Sequence, residues 1–386
     1  MQNPHLRRLV RPLRARDPQE PHRVASQLEL FTDLCFVVAI AQAAASFHHD
    51  ISHGHAVDGA LHFAMAFFAI FWAWLNFTWF ASAYDNDDVA YRLLILLQIV
   101  GSLVLAAGVP RMFEDDFTLG VSGYIVMRVA LVALWLRAAR NDPERRRTAR
   151  RYALGIVLVQ CCWVVFLFLP KEVALAAFLV FMLGEMAVPA VAERAGGTPW
   201  HPNHVAERYG LFFIIVLGET ILSTTFAIQG ALDAGQSADE LAKVVGGGVL
   251  IVFSLWWLYF CRDDAEVLRG RGDAANMVWG FGHYLIFASA AAVGAGLAAR
   301  VDYYAHHGPG LASALALTVP TVVMLTALYV IRLSRHDRTL RTALAFGVAC
   351  VLVLAATWTP SPEPIAGLVL VVLLVIALTN PRGAVT

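Results

Sequence analysis

Residues 59–83, GALHFAMAFFAIFWAWLNFTWFASA, run for twenty-five positions without an Asp, Glu, Lys or Arg. As a helix this stretch rises about 37 Å at 1.5 Å per residue, more than the roughly 30 Å of bilayer hydrocarbon. Only a helix satisfies every backbone group of one segment inside lipid. Eleven further stretches qualify as spans: 28–47, 91–110, 119–139, 152–169, 172–192, 207–229, 244–261, 278–299, 311–332, 342–358 and 365–378. The expected fold is all-α, a polytopic integral membrane helical bundle of about 12 transmembrane helices.

Composition agrees. Of 386 residues, 59% are hydrophobic and 15% charged, against roughly 45–50% and about 25% in soluble domains. Too few charges remain to clothe a water-facing surface. Lys+Arg and Asp+Glu balance at 29 each, so net charge gives no pull toward nucleic acid, and membrane lipids are the expected surroundings. Cys35, Cys161, Cys162, Cys261 and Cys350 all lie in apolar stretches, which suits neither a disulfide framework nor a zinc ribbon.

Basic residues set the expected orientation. Alternate connections hold Arg7, Arg8, Arg11, Arg14, Arg16 and Arg23, then Arg145, Arg146, Arg147, Arg150 and Arg151, then Arg262, Arg269, Arg271, Arg332, Arg335, Arg338, Arg341 and Arg382. The opposite side holds only Arg111, Lys171, Lys243 and Arg300. Both termini are therefore expected in the cytoplasm of a bacterial inner membrane. Residues 1–27 form a basic leader without a small-residue cleavage site, so the first span reads as an anchor. Topology and lipid headgroup contact account for the arginine runs.

Two halves resemble one another. Glu29-Leu30-Phe31 and Glu207-Arg208-Tyr209 open spans one and seven. WLNF at 74–77 precedes Asp87-Asp88, as WLYF at 257–260 precedes Asp263-Asp264. Two six-helix repeats, 28–192 and 207–380, are the expected organisation, an arrangement found in secondary transporters.

Ionisable residues inside spans cost about 2.5–3.5 kcal/mol each on insertion scales, so they face protein or water and have partners. Glu29 and Asp33 share one helix face, with Gln42 deeper. Arg128, Glu185, Glu207, Arg208, Glu219 and His283 follow. Rise per residue puts Arg128 and Glu219 near the midplane and Asp33, Glu185 and His283 roughly 6–10 Å from the cytoplasmic face. A buried Arg128–Glu219 pair is expected, with all these groups around one wet cavity. Helix locking by the pair, dipole or headgroup stabilisation for Glu29 and Glu207, and a packing hydrogen bond for His283 are the plainer readings. Trp72, Trp74 and Trp79 read as a packing stripe. In the connection after span one, His48, His49, His53 and His55 suggest a weak metal site, although their spacing matches no zinc module.

Residues 28–37, LELFTDLCFV, and 204–211, HVAERYGL, with 216–220, VLGET, carry a family resemblance. Gly123-Tyr124 with Arg128, the acidic turn 85–88, and Gly282-His283 with Gly294 extend it. The chain resembles the bacterial low temperature requirement protein A family over nearly its whole length. It departs at Thr32, where an aromatic is usual, and in the histidine-rich connection. The resemblance adds His204 to the candidate residues. It implies a multi-pass membrane protein with a place in stress response, and no substrate, because the family takes its name from a growth phenotype.

The function expected is a proton-coupled secondary transporter of a small solute, without cofactor. Asp33, Glu185, Glu207, Glu219 and His283 would be proton or solute ligands, and Gly218 and Pro189 points where helices break. An ion or proton channel is the alternative, with an intramembrane enzyme or a receptor without flux behind it. No nucleophile–base arrangement, HExxH or phosphate loop is present, so catalysis is not expected. A homodimer is left open.

Overall fold

The computed structural model describes residues 11–20, 23–269, 273–305, 308–337 and 339–379. Arg7, Arg8, Arg271, Arg338 and Arg382 of the orientation argument lie outside them. The described residues are helical, with no strand. The helices are α1 Gln27–Ser52, α2 Ala56–Tyr84, α3 Val89–Met112, α4 Thr118–Asn141, α5 Arg146–Phe166, α6 Lys171–Glu193, α7 Pro202–Asp233 and α8 Ala238–Phe260. A short α9, Ala265–Arg269, is followed by α10 Asp273–Tyr304, α11 Gly310–His336, α12 Leu340–Ala356 and α13 Pro362–Leu378.

Ten of these are long and apolar enough to cross a membrane. The last two, α12 and α13, have 17 residues each, about 25 Å of rise, short of a full hydrocarbon core. The expected split at 170–172 is real: Pro170 precedes Lys171, the first residue of α6. Gly218 and Pro189 do not break their helices, since α7 and α6 run through them. The departure from α geometry lies instead at Leu328–Leu333, a π-helical segment inside α11. The histidine-rich connection is largely helix. Between α1 and α2 only a tight turn remains, where Gly54 takes φ 85°, a conformation that favours glycine.

The chain divides into two compact units that do not follow the sequence halves. The first takes the chain up to Ala39 and Phe68–Arg208, and the second takes Ile40–Phe67 and the chain from Tyr209. Helices α1, α2 and α7 contribute residues to both.

In the first unit α3 packs on α4 at backbone distance. A Cβ on Gly123 would lie 2.4 Å from the Leu105 nitrogen, and one on Gly108 would lie 2.5 Å from the Gly120 nitrogen. Lipid is as apolar as leucine, so helices associate in a membrane through such close van der Waals packing rather than through hydrophobic burial. Beyond this seam, Trp135 stacks on Tyr152 at 4.1 Å, with Phe80 and Tyr84 edge-on to Trp135. The N-terminal segment packs on the same unit. Leu13 is fully buried in this aromatic cluster, and the Arg16 amide donates to the Ala83 carbonyl.

The second unit uses the same device. A Cβ on Gly296 would meet the Ala316 carbonyl oxygen at 2.4 Å, and one on Gly247 would meet the Glu363 backbone at 2.3 Å. These contacts fix α10 against α11 and α8 against α13.

Candidate functional site

The start of α1 is built by a reciprocal cap. Ser26 donates its amide to Glu29 Oε2 at 2.7 Å, and the Glu29 amide donates to Ser26 Oγ at 3.3 Å. This is the S-x-x-E pattern that satisfies two orphan donors at a helix start. Capping turns Glu29 inward, and Asp33, one turn on, follows on the same face.

Opposite them stands the matching pair of α7. His204 and Arg208 are likewise four residues apart. His204 Nε2 and Arg208 Nη1 lie 3.0 and 3.2 Å from Glu29 Oε1, ion-pair distances without hydrogen-bond alignment. Arg208 Nη2 donates to Asp33 Oδ1 at 2.5 Å and to Thr78 Oγ1 at 3.4 Å. Trp74 adds its indole N–H to Asp33 Oδ1 at 2.8 Å. None of the four ionisable side chains exceeds 1% exposure. Asp33 Oδ2 has no hydrogen-bond partner among the described residues.

Acidic residues of the α2–α3 connection continue this polarity. Arg23 sits 4.0 Å from Glu29 and 3.5 Å from Asp85. Burial pushes the Asp85 carboxyl above the usual range, Glu29 adds to that, and Arg23 works against both. Burial would raise Asp88 as well, but Arg137 and the amides of Tyr91 and Arg11 hold it below its ordinary value. Arg23 of the leader is thus a buried counter-charge.

A second centre lies in the same unit. Arg128 takes Glu185 as its anion at 3.5 Å, in place of the expected Glu219. Its Nη2 also donates to the Tyr124 hydroxyl, and its guanidinium lies 4.4 Å from the Tyr124 ring centre. Glu185 is well supplied with donors. Trp72 Nε1 reaches Oε2 at 2.9 Å, and Tyr124 Oη and Trp163 Nε1 reach Oε1 at 3.1 and 3.2 Å. Arg128 and Glu185 are each 2% exposed.

The two centres are not one cavity. Trp72 and Trp74 are two residues apart, about 200° around a helix, so Glu185 and Asp33 flank α2 on opposite sides. The single wet cavity expected from the sequence is corrected on this point.

Other candidates are placed elsewhere. Gln42 is exposed, because nine residues from Asp33 amount to about 900° of rotation and leave it on the opposite face. Glu207 is half-buried. In the second unit Glu219 is also half-buried and accepts from Ser223 at 2.8 Å. His283 is fully buried. Its Nδ1 is 2.7 Å from the Trp279 carbonyl, and Trp279 and Tyr209 rings lie at 4.2 and 4.8 Å. The expected metal site does not form. His48 turns to Asp302 at 2.7 Å, His49 stacks on His53 at 4.1 Å, and His55 is exposed. Among the described residues no group of three or more His, Cys, Asp and Glu side chains could hold a metal ion.

Sequence reasoning missed two buried pairs of the second unit. Arg332, on the π segment, binds Asp264, which also accepts from Trp279 at 3.1 Å and faces His336 at 3.3 Å. Arg300 binds Glu363, beside Tyr304. It also missed Trp72, Trp74 and Trp163 as donors. The signal for Ser26 was present in its spacing to Glu29. An indole facing a carboxylate leaves no such mark.

Comparison with known proteins bears on the same residues. The family described as bacterial low temperature requirement A protein (LtrA) matches residues 24–378, a stretch that holds both centres. An uncharacterized protein of Rhizobium meliloti (strain 1021), RA0937, is 28% identical over 274 residues, 67% of this chain and 65% of that protein. The chain therefore spans about 65% of that relative's length. No solved structure matches. With its multi-span helical bundle and a family match running from before the capped start of α1 to the end of α13, the chain belongs to the bacterial low temperature requirement A family.

Proposed function

We propose that the protein is a proton-coupled secondary transporter of a small solute in the bacterial inner membrane, with twelve crossings and both termini cytoplasmic. The observation that carries this reading is Arg208 held between Glu29 and Asp33. Two acids share one guanidinium, wholly buried, and Asp33 keeps an oxygen without a partner. A proton on that oxygen cancels the charge that holds Arg208. The clamp between α1 and α7 then loosens, and protonation is tied to conformation. Loss of one partner from such a buried pair is strongly felt, which is the coupling a transporter needs.

The test is flux across a sealed membrane. Purified protein in liposomes with a trapped pH dye should move protons only when a co-transported solute is supplied. Uptake should saturate and collapse with the pH gradient. Asp33→Asn should abolish gradient-driven accumulation while leaving solute exchange. Non-saturating current driven by voltage alone would replace the transporter by a channel.

A further inference from the structure

Arg128 lacks acceptors where Glu185 does not lack donors. The Arg128 Nε and Nη1 groups, which carry three N–H bonds, are buried without an acceptor among the described residues. Glu185 receives Trp72, Tyr124 and Trp163. Unpaired charged donors in a dry interior are costly. What the centre can still take is therefore acceptor oxygens, not a cation.

A small cavity adjoins it at Tyr124. Helices α2 to α6 enclose a cavity of about 30 Å³, lined by Phe68, Phe117, Tyr124, Trp163, Phe166 and Phe178 among others. That volume admits a water molecule or a small group. Tyr124 is shared between cavity and centre, since its ring lines the former and stacks on Arg128. Along α4 the lining residues Gly120 and Tyr124 continue at the same spacing to Arg128, one turn deeper. The lining is aromatic and apolar, which suits an apolar remainder on the anion and suits inorganic phosphate poorly.

We infer that the Arg128 centre binds a small monocarboxylate with an apolar remainder, together with one proton on Glu185. The inference rests on the transport reading for its purpose, and its binding step can be measured without transport. Charge decides the proton. Arg128 and Glu185 sum to zero, and a second carboxylate would leave one uncompensated negative charge in a buried site. One proton taken from solvent by Glu185 restores the balance. The protonated Glu185 donates its O–H to the solute carboxylate, as two adjacent carboxyls share a proton. The solute's oxygens accept from Arg128 Nε and Nη1. The cavity as it stands is smaller than a three-carbon acid, so binding requires the Tyr124 ring to move off Arg128.

The experiment uses the full chain in lipid nanodiscs, with propionate, propylamine and inorganic phosphate as probes. Calorimetry gives affinity at pH 5.5, 6.5 and 7.5, and a weakly buffered sample gives protons taken up. Propionate should bind saturably with uptake of about one proton, its Kd rising about tenfold per pH unit where Glu185 must gain that proton. Propylamine and phosphate should not bind. Arg128→Gln should abolish propionate binding. In Glu185→Gln any remaining propionate binding should show neither proton uptake nor pH dependence, and this variant decides the matter if Arg128→Gln fails to fold. Absence of propionate binding, unchanged binding in Arg128→Gln, binding without proton uptake, or stronger binding of phosphate would each overturn the inference. Binding with proton uptake but no flux in liposomes would sink the transport reading alone.

Discussion

Trp72 and Trp74, separated by one residue on α2, give their indole N–H groups to different buried carboxylates, Glu185 and Asp33. One helix thus supports both centres from its two sides. Each indole is a neutral donor that keeps a carboxylate hydrogen-bonded whether or not its cation stays.

Replacing either tryptophan by phenylalanine should cost on the order of 1–3 kcal/mol, the range for a buried hydrogen bond to a charged group. Because the acceptors lie on opposite sides, the double variant should add within about 0.5 kcal/mol. Unfolding of the purified protein in SDS measures both. A strongly non-additive result would mean that the two carboxylates form one network.

Arg208→Gln leaves Glu29 and Asp33 buried without their shared cation. A loss of about 3–5 kcal/mol is expected, as for other buried pairs cut on one side. Asp33→Asn in the same chain should recover part of it. The melting temperatures of the single and double variants check this.

Opposite signs are expected from two glycine substitutions. Gly123→Ala drives a methyl to 2.4 Å from the Leu105 nitrogen and 2.6 Å from the Gly101 oxygen, and should cost about 1–3 kcal/mol by overpacking. A Cβ on Gly218 meets nothing within 4 Å. Gly218→Ala should be neutral or should stabilise α7 by up to about 1 kcal/mol through helix propensity. Thermal unfolding of each variant against the parent shows the difference.

Acid should weaken the second unit through Asp264, which lies between α8 and α9. Burial raises its carboxyl, but Arg332 and His336 bring it down to about 2. In the unfolded chain it titrates at about 3.9. Its ionised form therefore stabilises the folded protein above about pH 4, and that contribution is lost as pH falls toward 2. Melting temperature measured from pH 5 downward should drop across this window, and less steeply in Asp264→Asn.

Much of the architecture was legible because it rests on length and hydropathy. The spans fall where apolar runs of about 20 residues predict helices, and the break at Pro170 follows from its missing N–H. Faces were legible too, because four-residue spacing fixes them: Glu29 with Asp33, and His204 with Arg208. Partners were not. Depth along a helix assigned Glu219 to Arg128, but depth carries no azimuth, and Glu219 turns to Ser223. Gln42 could have been excluded from the same periodicity that joined Glu29 to Asp33. The π segment under Arg332 has no sequence signature, since it depends on what packs beside it.

Asp33 meets its first donor, Trp74, 41 residues later in the chain, and its cation, Arg208, only after 175. At about 5–20 residues per second of synthesis, that delay is on the order of 10–35 s. During this interval the nascent first helix carries Asp33 without its cation, which costs about 2.5–3.5 kcal/mol among acyl chains. Contact with the insertion machinery, or with water at the membrane surface, would offset that cost until the seventh helix emerges.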